Sequence, residues 1–591
     1  MEKHIPRAEY PRPEFARKDW MNLNGTWNFD FDDEDRGRKE HWECKSDQLQ
    51  KKISVPFAYQ AKLSGVEDKE MHDIVWYQRE FQVPDAWKDR RIQLNFGAVD
   101  YSCQVWVNGK LAVTHEGGHT PFSADITDLL EENNVLTVRA QDYAKDITLP
   151  RGKQYWEMES KYIFYTGTTG IWQTVWLEPV HESRLERITF RPDIDHNQVQ
   201  IGILTKGISA EKNLRVRMKV CFSGWDVEQV YDKAPISTDT YEIKENWEYR
   251  CMGLKNVQLD GFEYWWTPER PNLYVVTASL YDGDILVDEV ETYFGMRKIS
   301  MENGVLCLNN KPYKQRLVLD QGYFPMGGLT APTDEELKED ILLGKAMGFN
   351  GARKHQKIED PRWLYWCDHL GYLVWGEMAN AYDYSKDYAE KMMKEWVEGI
   401  RRDYNHPCIV AWVPLNESWG VPNVKKDVFQ QNHARAMYYI TKSLDDTRPV
   451  GSNDGWEHVC SDLCTIHDYA ADQNVLEKRY ESIANMMEFR PSGREIYVAG
   501  ASYHGEPIMV TEFGGIAYQE DESGWGYSNA KSQDDFEERL KAVLEPIKKS
   551  KWLSGFCYTQ LTDVEQEMNG LLTYDRKPKL PLEVIKKIVE G

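Results

Sequence analysis

The sequence predicts three domains: an all-β jelly roll, an immunoglobulin-like β-sandwich and a (β/α)8 TIM barrel. The chain has 591 residues, and because single cores rarely grow past roughly 250–300 residues, several domains are expected. Residues 1–182 and 183–298 contain short strands of alternating polarity with no helical period. Residues 299–591 alternate buried-strand runs with amphipathic stretches, which is the pattern of a parallel sheet covered by helices.

The jelly roll is predicted from strands such as Ile92-Gln-Leu-Asn-Phe and Gln173-Thr-Val-Trp-Leu, in which apolar and polar residues alternate. Asn108-Gly109 between two such runs is the strongest short hairpin signal. Leu214-Arg-Val-Arg-Met-Lys-Val and Tyr274-Val-Val-Thr-Ala-Ser-Leu alternate in the same way in the second domain. About seven short strands in a segment of that length suit an immunoglobulin-like sandwich.

The third domain contains a capping box, Thr333-Asp-Glu-Glu336, that predicts the start of a helix ending near Gly348. Amphipathic stretches at 391–401 and 430–444 predict further helices. About eight strand runs in a segment of this size match a (β/α)8 barrel. A doubly wound open sheet is the structural alternative, but no Gly-rich phosphate turn marks one. The clearest strand runs are Leu317-Val-Leu, Gly351-Ala-Arg-Lys-His, Tyr372-Leu-Val-Trp-Gly, Cys408-Ile-Val-Ala-Trp-Val, Cys464-Thr-Ile-His, Ile508-Met-Val-Thr and Gly555-Phe-Cys-Tyr-Thr.

Charge and composition exclude several functions. The formal net charge of −24 argues against nucleic acid and anionic membrane surfaces as partners. The N-terminus has no apolar signal region, and no run reaches the length of a membrane span, so we expect a cytoplasmic protein. Ten scattered cysteines favour free thiols over a zinc site, since the closest pair is Cys460 and Cys464. We expect no cofactor and no catalytic metal, while a structural cation and a homo-oligomer stay open.

Two carboxylates each end an apolar run. Glu417 follows Trp412-Val-Pro-Leu-Asn, and Glu512 follows Met509-Val-Thr. A charge at the end of a buried strand is costly unless it is paired or used by a site. One such residue alone would suggest a structural ion pair. Two of them, from separate strands, suit glycoside hydrolysis, in which one carboxyl is the acid/base and the other the nucleophile.

Polar side chains follow almost every predicted barrel strand, at the end where such barrels carry their active sites. Acids, amides, His and Tyr together are typical of a site for a ligand with many hydroxyls. Structural alternatives are a rim ion pair for Arg353, packing for Tyr469 and loop support for Glu377. The candidate substrate-binding residues are Asp320, Arg353, His355, Glu377, Asn416, Trp456, His467, Tyr469 and Gln560.

Several motifs give the chain a resemblance to glycoside hydrolase family 2, the β-galactosidase, β-glucuronidase and β-mannosidase family. Asn416-Glu417 and Thr511-Glu512-Phe-Gly resemble the ends of its two catalytic strands, and the resemblance covers nearly the whole chain. The other motifs are Asn22-Leu-Asn-Gly-Thr-Trp, Val105-Trp-Val-Asn-Gly-Lys, Gly117-Gly-His-Thr-Pro-Phe, Thr169-Gly-Ile-Trp-Gln-Thr-Val-Trp-Leu, Trp266-Thr-Pro-Glu-Arg-Pro-Asn-Leu-Tyr and Phe294-Gly-Met-Arg.

The resemblance implies an exo-acting, retaining β-glycosidase. Glu512 would attack the anomeric carbon, and Glu417 would protonate the leaving oxygen and then deprotonate water. Asn416 would bind the sugar 2-hydroxyl, Tyr469 would hold the nucleophile, and Arg353 would lie beside it. His355 would contact sugar hydroxyls. A non-catalytic carbohydrate-binding protein would have lost a carboxylate, and a metal-dependent hydrolase would need clustered His and Asp ligands.

Three departures from the family pattern concern the sugar pocket. After the strand-two Arg the family often has His-Tyr-Pro, whereas here His355 is followed by Gln356. The usual strand-eight Trp is replaced near Phe556, and Asp320-Gln-Gly-Tyr-Phe stands in place of a His-Glu pair. We expect a β-galactosidase-like enzyme. A β-glucuronidase and a furanosidase or arabinosidase of the same family are the alternatives.

A neutral sugar is expected because acids stand where the family's glucuronidases carry an Asn-x-Lys pair. Asp563, Glu565 and Glu567 would repel a substrate carboxylate. The counter-argument is Lys354 and Lys357, which follow the second strand, although lysines more often point to solvent.

Overall fold

The protein is described here by a computed structural model, which covers residues 5–45, 48–196, 198–207, 212–222, 225–229, 240–248, 264–518 and 524–591. Two β-rich units precede a barrel, so the predicted fold class is confirmed. The domain boundaries at residues 182 and 298 stay predictions. Within the described ranges, no helix combines the length and the apolar character that crossing a membrane requires.

The first unit packs two antiparallel sheets around a core that includes Trp27, Leu94 and Val138. Asn108 and Gly109 have φ angles of 52° and 73°, so they form the predicted tight turn between two strands of the larger sheet. The six strands of that sheet are, in spatial order, Lys51–Val55, Gly25–Phe31, Ile74–Phe81, Asn134–Gln141, Ser102–Val107 and Lys110–Glu116. The other sheet contains Met21–Asn22, Val175–Val180, Arg91–Phe96 and Phe122–Asp125.

The second unit is a smaller sandwich of a three-stranded and a four-stranded antiparallel sheet. Its core includes Ile188, Val216 and Val276. The strands are Arg184–Asp193, Gln198–Lys206 and Thr240–Glu248 in one sheet and Trp225–Gln229, Leu214–Phe222, Tyr274–Asp282 and Ile285–Phe294 in the other. Two small sheets lead from this unit into the barrel. Trp266–Thr267 pairs with Arg270–Pro271, and the other sheet contains Ile299–Glu302, Val305–Leu308 and Lys311–Pro312.

The barrel sheet has seven parallel strands: β1 (Gln315–Asp320), β2 (Gly351–Lys354), β3 (Leu373–Glu377), β4 (Ile409–Val413), β5 (Cys464–Asp468), β6 (Ile508–Phe513) and β7 (Leu553–Tyr558). Their spatial order is β4-β3-β2-β1-β7-β6-β5. Residues 450–455 lie between the two edge strands. Val450 and Asp454 bridge Trp412 and Asn416 on one side, and the Gly455 carbonyl accepts from the His467 amide on the other. The ring therefore closes.

Helices cover the outside of the ring. The Thr333 side chain accepts from the Glu336 amide, so the predicted capping box starts the first barrel helix, which ends at Ala346. The predicted stretches at 391–401 and 430–444 lie inside two longer helices. The barrel helices are Asp334–Ala346, Pro361–Leu370, Lys386–Asp403, Val428–Leu444, Gln473–Tyr480, Ile483–Glu488, Gln533–Lys549 and Leu582–Glu590, and Gly37–Glu40 is a single turn in the jelly roll.

The jelly roll contacts the mouth of the barrel through the long segment 142–169, which follows strand Asn134–Gln141. Tyr165 and Trp172 pack in one apolar cluster with Tyr323, Leu329 and Val564 of the barrel. The Thr330 hydroxyl donates to the Trp172 carbonyl at 2.6 Å. A segment of that length between two strands is usually functional, and this one lies against the carboxyl ends of the barrel strands.

Candidate active site

Glu417 and Glu512 meet at the carboxyl end of the barrel. Glu512 is on β6, and Glu417 follows β4 in a turn where Glu417 and Ser418 have φ angles of 52° and 61°. One carboxyl oxygen of each residue and one ring nitrogen of His467 all lie within 4.8 Å of one another. The Glu417 side chain is 17% exposed and that of Glu512 only 5%. The arrangement brings a more accessible and a more enclosed carboxyl to one point.

Two donors hold the Glu512 carboxyl. Arg353 Nη1 donates to Oε1 at 3.0 Å, and the Tyr469 hydroxyl donates to Oε2 at 2.6 Å. The Tyr469 ring stacks on Tyr527, with centroids 3.3 Å apart. These contacts fix the carboxyl in one orientation, which an attacking group requires.

Arg353 is fully buried and also makes the structural contacts that its sequence position suggested. Its Nε donates to Glu377 at 2.6 Å, its Nη2 donates to the Asn416 side-chain oxygen at 2.7 Å, and its Nη1 lies 2.5 Å from Asp454. Burial raises the pKa of Glu377, and Arg353 opposes that rise. Burial likewise acts to raise the pKa of Asp454, but Arg353 and His467 hold it well below the usual range. Arg353 therefore organises several acids around Glu512.

His467 lies between two carboxylates. Its Nδ1 is 2.7 Å from Glu417 Oε1, and its Nε2 is 2.7 Å from Asp454 Oδ2. Burial alone would lower the pKa of His467, but the charges of Glu512 and Asp454 and the hydrogen bond to Glu417 raise it to about 10. The sequence assigned His467 to sugar binding, whereas the structure places its ring against Glu417. The Trp456 ring packs edge-on against His467, with centroids 5.5 Å apart.

His355 is a neutral ring beside the same cluster. Its Nδ1 is 2.9 Å from Glu377 Oε1. Burial is the largest influence on its pKa, and the cations Lys153 and Arg353 add to it, so the pKa lies well below the usual value. His355 can therefore exchange hydrogen bonds with hydroxyl groups without carrying charge.

Asp320 does not join the cluster around Glu512. Its carboxyl binds Lys354 at 2.6 Å and the Gly322 amide at 2.8 Å. The next residue, Gln321, instead donates to the Gln560 side-chain oxygen at 2.7 Å, at the end of β7. Within the described part of the chain, Gln321 Oε1 and Gln560 Nε2 have no protein partner. This amide pair offers one acceptor and one donor beside the site.

The expectation that Lys354 and Lys357 point to solvent is wrong. Both are buried, because Lys354 pairs with Glu359 at 2.8 Å as well as with Asp320, and Lys357 pairs with Glu359 at 2.9 Å.

The acids after β7 also differ from the sequence expectation. Asp563 pairs with Lys579 at 2.7 Å, and Glu565 accepts from the Thr166 amide at 3.2 Å. Glu567 is buried, and the Tyr165 hydroxyl donates to its Oε2 while Asn569 Nδ2 donates to its Oε1 at 3.2 Å. Burial raises the pKa of Glu567 and the charge of Glu512 adds to the rise, so this acid lies near the two carboxylates.

The residues that sequence reasoning missed come mainly from the jelly roll. Lys153 lies over the Trp419 ring, 5.2 Å from its centroid, and Phe164 packs against the same ring at 5.4 Å. Both residues lie in the 142–169 segment. Its length was the one signal in the sequence that could have drawn attention to it.

Two triplets among the described residues have ligand atoms close enough to hold a metal ion: Glu417, His467 and Glu512, and Asp368, His406 and Cys408. In the first, the ligand atoms already bind one another or Tyr469 and Arg353. In the second, Asp368 accepts from the Cys408 amide at 2.9 Å and lies 2.6 Å from His406. The hydrogen bonds account for both clusters.

Comparisons with known proteins agree with this architecture. Three family models match in order: Glycosyl hydrolases family 2, sugar binding domain, over residues 20–163; Glycosyl hydrolases family 2 over residues 183–297; and Glycosyl hydrolases family 2, TIM barrel domain, over residues 299–591. Together these models cover nearly the whole chain.

Two curated relatives give the range of named activities. A "Beta-galactosidase" of Thermoanaerobacter pseudethanolicus is 25% identical over 73% of this chain and 54% of its own length. A "Putative beta-glucuronidase" of Formosa agariphila is 26% identical over 59% of this chain and 40% of its own. The chain thus spans about half the length of the curated relatives it matches.

Solved structures match over nearly the full chain. An "Uncultured Clostridium sp. Beta-glucuronidase" has a TM-score of 0.77 at 21% identity, covering 99% of this chain and all of the other. A "GH2 beta-galacturonidase from Eisenbergiella tayi" has a TM-score of 0.74 at 21% identity, covering 98% of each chain. At this identity the likeness shows the fold. With all three family models matched in order, the chain belongs to glycoside hydrolase family 2.

Proposed function

We propose that the protein is an exo-acting retaining β-glycosidase, β-galactosidase-like in its machinery, that removes a terminal sugar by double displacement. The observation that carries this proposal is that one carboxyl oxygen of Glu417 lies within 4.8 Å of one carboxyl oxygen of Glu512. Retaining enzymes have carboxyl groups about 5–5.5 Å apart, whereas inverting enzymes leave roughly 6.5–9.5 Å for a water molecule.

In the first step, Glu512 attacks the anomeric carbon while Glu417 gives its proton to the glycosidic oxygen. The bond between that carbon and oxygen breaks, and the aglycone leaves as an alcohol. Arg353 and Tyr469 keep the Glu512 oxygens aligned during the attack. His467 stabilises the Glu417 carboxylate that the proton transfer creates.

In the second step, Glu417 takes a proton from water as the water oxygen attacks the anomeric carbon. The bond to Glu512 breaks, and the sugar leaves with its original anomeric configuration.

Exo action is supported by the jelly-roll segment, which crosses the barrel mouth. The Gly152 amide donates to the Asn380 carbonyl at 2.9 Å, and Gln566 Nε2 donates to the Phe164 carbonyl at 2.9 Å.

The two main candidates for the terminal sugar are a β-galactoside, with a hydroxymethyl group at C5, and a β-hexuronide, with a carboxylate there. The curated relatives carry names of both kinds. With Asp563 and Glu565 bound elsewhere, two of the three acids that favoured a neutral sugar no longer bear on the choice. Lys153, which reaches the barrel mouth from the jelly roll, favours the hexuronide. A furanoside or arabinoside is the remaining alternative from the sequence.

The test is a panel of nitrophenyl glycosides containing β-galactoside, β-glucuronide, β-galacturonide and arabinosides, with the first-formed sugar followed by proton NMR. We expect hydrolysis of at least one β-glycoside, with the β-anomer formed first. An α-anomer formed first would mean inversion and overturn the mechanism. Sugar binding without hydrolysis of any member would instead identify a non-catalytic carbohydrate-binding protein.

A further inference from the structure

Lys153 differs from the other buried lysines. Lys354, Lys357 and Lys579 each pair with a carboxylate at 2.6–2.9 Å. Lys153 is 7% exposed, yet across the residues that the structure describes its ammonium has neither a hydrogen bond nor an ion pair. The side chain is thus largely buried while its ammonium is left without a counter-charge, so it can bind an anionic group from outside the chain.

The position of the ammonium identifies where that group binds. Its Nζ lies 5.2 Å from the centroid of the Trp419 ring, in the turn after β4. Burial lowers the pKa of His355 at the end of β2, and the charge of Lys153 lowers it further. Burial raises the pKa of Glu567 after β7, and Lys153 is the strongest influence opposing that rise. The ammonium therefore lies at the barrel mouth, close to residues that follow β2, β4 and β7.

The backbone around Lys153 is fixed against the barrel. The Tyr165 amide donates to the Lys153 carbonyl at 2.9 Å, and the Gly152 amide donates to Asn380 at 2.9 Å. Gly152 has a φ angle of +63°, and a Cβ atom there would lie 2.2 Å from the Gln356 carbonyl oxygen. The lysine is therefore held in place before any substrate arrives, which reduces the entropy that binding would cost.

We propose that Lys153 binds a carboxylate of the substrate, which makes a β-hexuronide the sugar that this enzyme removes. This inference rests on the proposed glycosidase function and specifies its substrate class. A carboxylate facing Lys153 supplies the missing counter-charge and forms a charge-assisted hydrogen bond with it. The cation comes from the jelly roll and not from the β7 loop, where the resemblance to glucuronidases would have placed a lysine.

Glu567 does not oppose this assignment. Burial already raises its pKa, and a carboxylate placed beside it acts in the same direction. Once protonated, Glu567 is a hydrogen-bond donor to the substrate carboxylate instead of a repelling charge. Tyr165 and Asn569 hold its two oxygens in position.

The experiment compares the wild type with Lys153→Met, which keeps the length of the side chain and removes its charge. Lys161→Met is the matched control, because Lys161 lies in the same segment but is exposed to solvent. Each protein is assayed for kcat/KM on nitrophenyl β-galacturonide, β-glucuronide and β-galactoside, and on a nitrophenyl β-galactoside with a carboxylate on the aryl ring. The last substrate separates a carboxylate on the sugar from one on the aglycone.

We expect the wild type to prefer a hexuronide and Lys153→Met to lose about 10–100-fold on it, as for a hydrogen bond to a charged group. The β-galactoside has no carboxylate for Lys153 to bind, so on it we expect a change of less than about threefold. Lys161→Met should match the wild type on every substrate. A selective loss on the aryl carboxylate alone would place the bound carboxylate on the aglycone and overturn the assignment of a β-hexuronide.

An equal loss on charged and neutral substrates, or a wild type that prefers the β-galactoside, would overturn the inference and leave the glycosidase function standing. No hydrolysis of any glycoside would contradict the proposed function itself. Should Lys153→Met fold poorly, Lys153→Gln is used with a second measurement, the shift in thermal midpoint caused by millimolar D-galacturonate, D-glucuronate and D-galactose. A uronate-specific shift that disappears in Lys153→Gln supports the inference, and shifts equal for uronates and galactose oppose it.

Discussion

His467 contacts Glu417 at 2.7 Å and thereby links the proposed acid/base to a buried carboxylate, Asp454, on the other side of the ring. The proposed acid/base is thus one end of a chain of three groups. Because the pKa of His467 is raised to about 10, the imidazolium persists at neutral pH. A fixed positive charge beside Glu417 stabilises the carboxylate that forms when the proton reaches the leaving oxygen.

Replacing His467 by Asn should therefore impair proton donation more than sugar binding. We expect kcat to fall by about 10–100-fold on glycosides with poor leaving groups, a range typical of lost electrostatic stabilisation, with KM nearly unchanged. Activated aryl glycosides, which need little protonation, should lose far less. The measurement is a series of aryl glycosides of graded leaving-group acidity. A loss of the same size across the whole series would mean that His467 only supports the fold.

The same residue predicts a pH dependence of stability. Its pKa is raised from 6.5 to about 10 in the folded protein, so its contribution is fully present below about pH 6.5 and is lost as the pH rises toward 10. Urea unfolding of the wild type and His467→Asn should show the largest difference in free energy of unfolding near pH 6 and a much smaller one near pH 10. A difference that grows with pH would contradict the assignment of an imidazolium.

Glu512→Ala should nearly abolish turnover, because Glu512 is the proposed nucleophile and both of its oxygens are held by Arg353 and Tyr469. Added azide should restore part of the rate and give a glycosyl azide of inverted configuration, since azide attacks from the vacated side. Glu545→Ala is the control, because Glu545 pairs with Lys549 on the surface of a helix. Labelling of a different residue by a slow fluorosugar would disprove the assignment.

Glu417→Ala tests the acid/base role separately. Glycosides with poor leaving groups should lose at least about 100-fold in kcat, within the range for general acid catalysis. Dinitrophenyl glycosides should retain the first step and accumulate the covalent intermediate, which appears as a burst of phenol. Absence of both the burst and the leaving-group dependence would remove Glu417 from this role.

The sequence predicted which polar residues stand at the ends of the barrel strands. It did not predict which residues elsewhere in the fold pair with them. The two carboxylates stood out because each interrupts an apolar run, and burial of such a charge needs a reason. Asp320 and Asp563 stand at similar positions, but each carboxyl is taken by a lysine, Lys354 and Lys579 respectively. Local polarity places an acid at a strand end, while the residue that neutralises it depends on the tertiary fold.

The contribution of the jelly roll to the barrel site could not be predicted from the sequence for the same reason. Lys153 lies in a segment whose composition resembles any exposed loop, and Glu567, which feels its charge, is more than four hundred residues further along the chain. The sequence did contain one signal, the unusual length of the segment between two jelly-roll strands. The identity of the residue that reaches the site emerges only when the two domains are packed together.

Gly152→Ala tests whether the jelly roll completes the active site. A Cβ atom at Gly152 would lie 2.2 Å from the Gln356 carbonyl oxygen, so the segment that carries Lys153 has to move away from the barrel. Gly283→Ala is the matched control, because Gly283 has nearly the same φ angle, +59° against +63°, and open space around its added methyl group. Both variants bear the strain of a left-handed alanine, roughly 1 kcal/mol, and only Gly152→Ala bears the clash.

We expect kcat/KM on the preferred glycoside to fall by about tenfold or more in Gly152→Ala, as for a misplaced binding group. In Gly283→Ala it should stay near the wild-type value. Equal activity in the two variants, with equal thermal midpoints, would show that the position of this segment does not matter for the site.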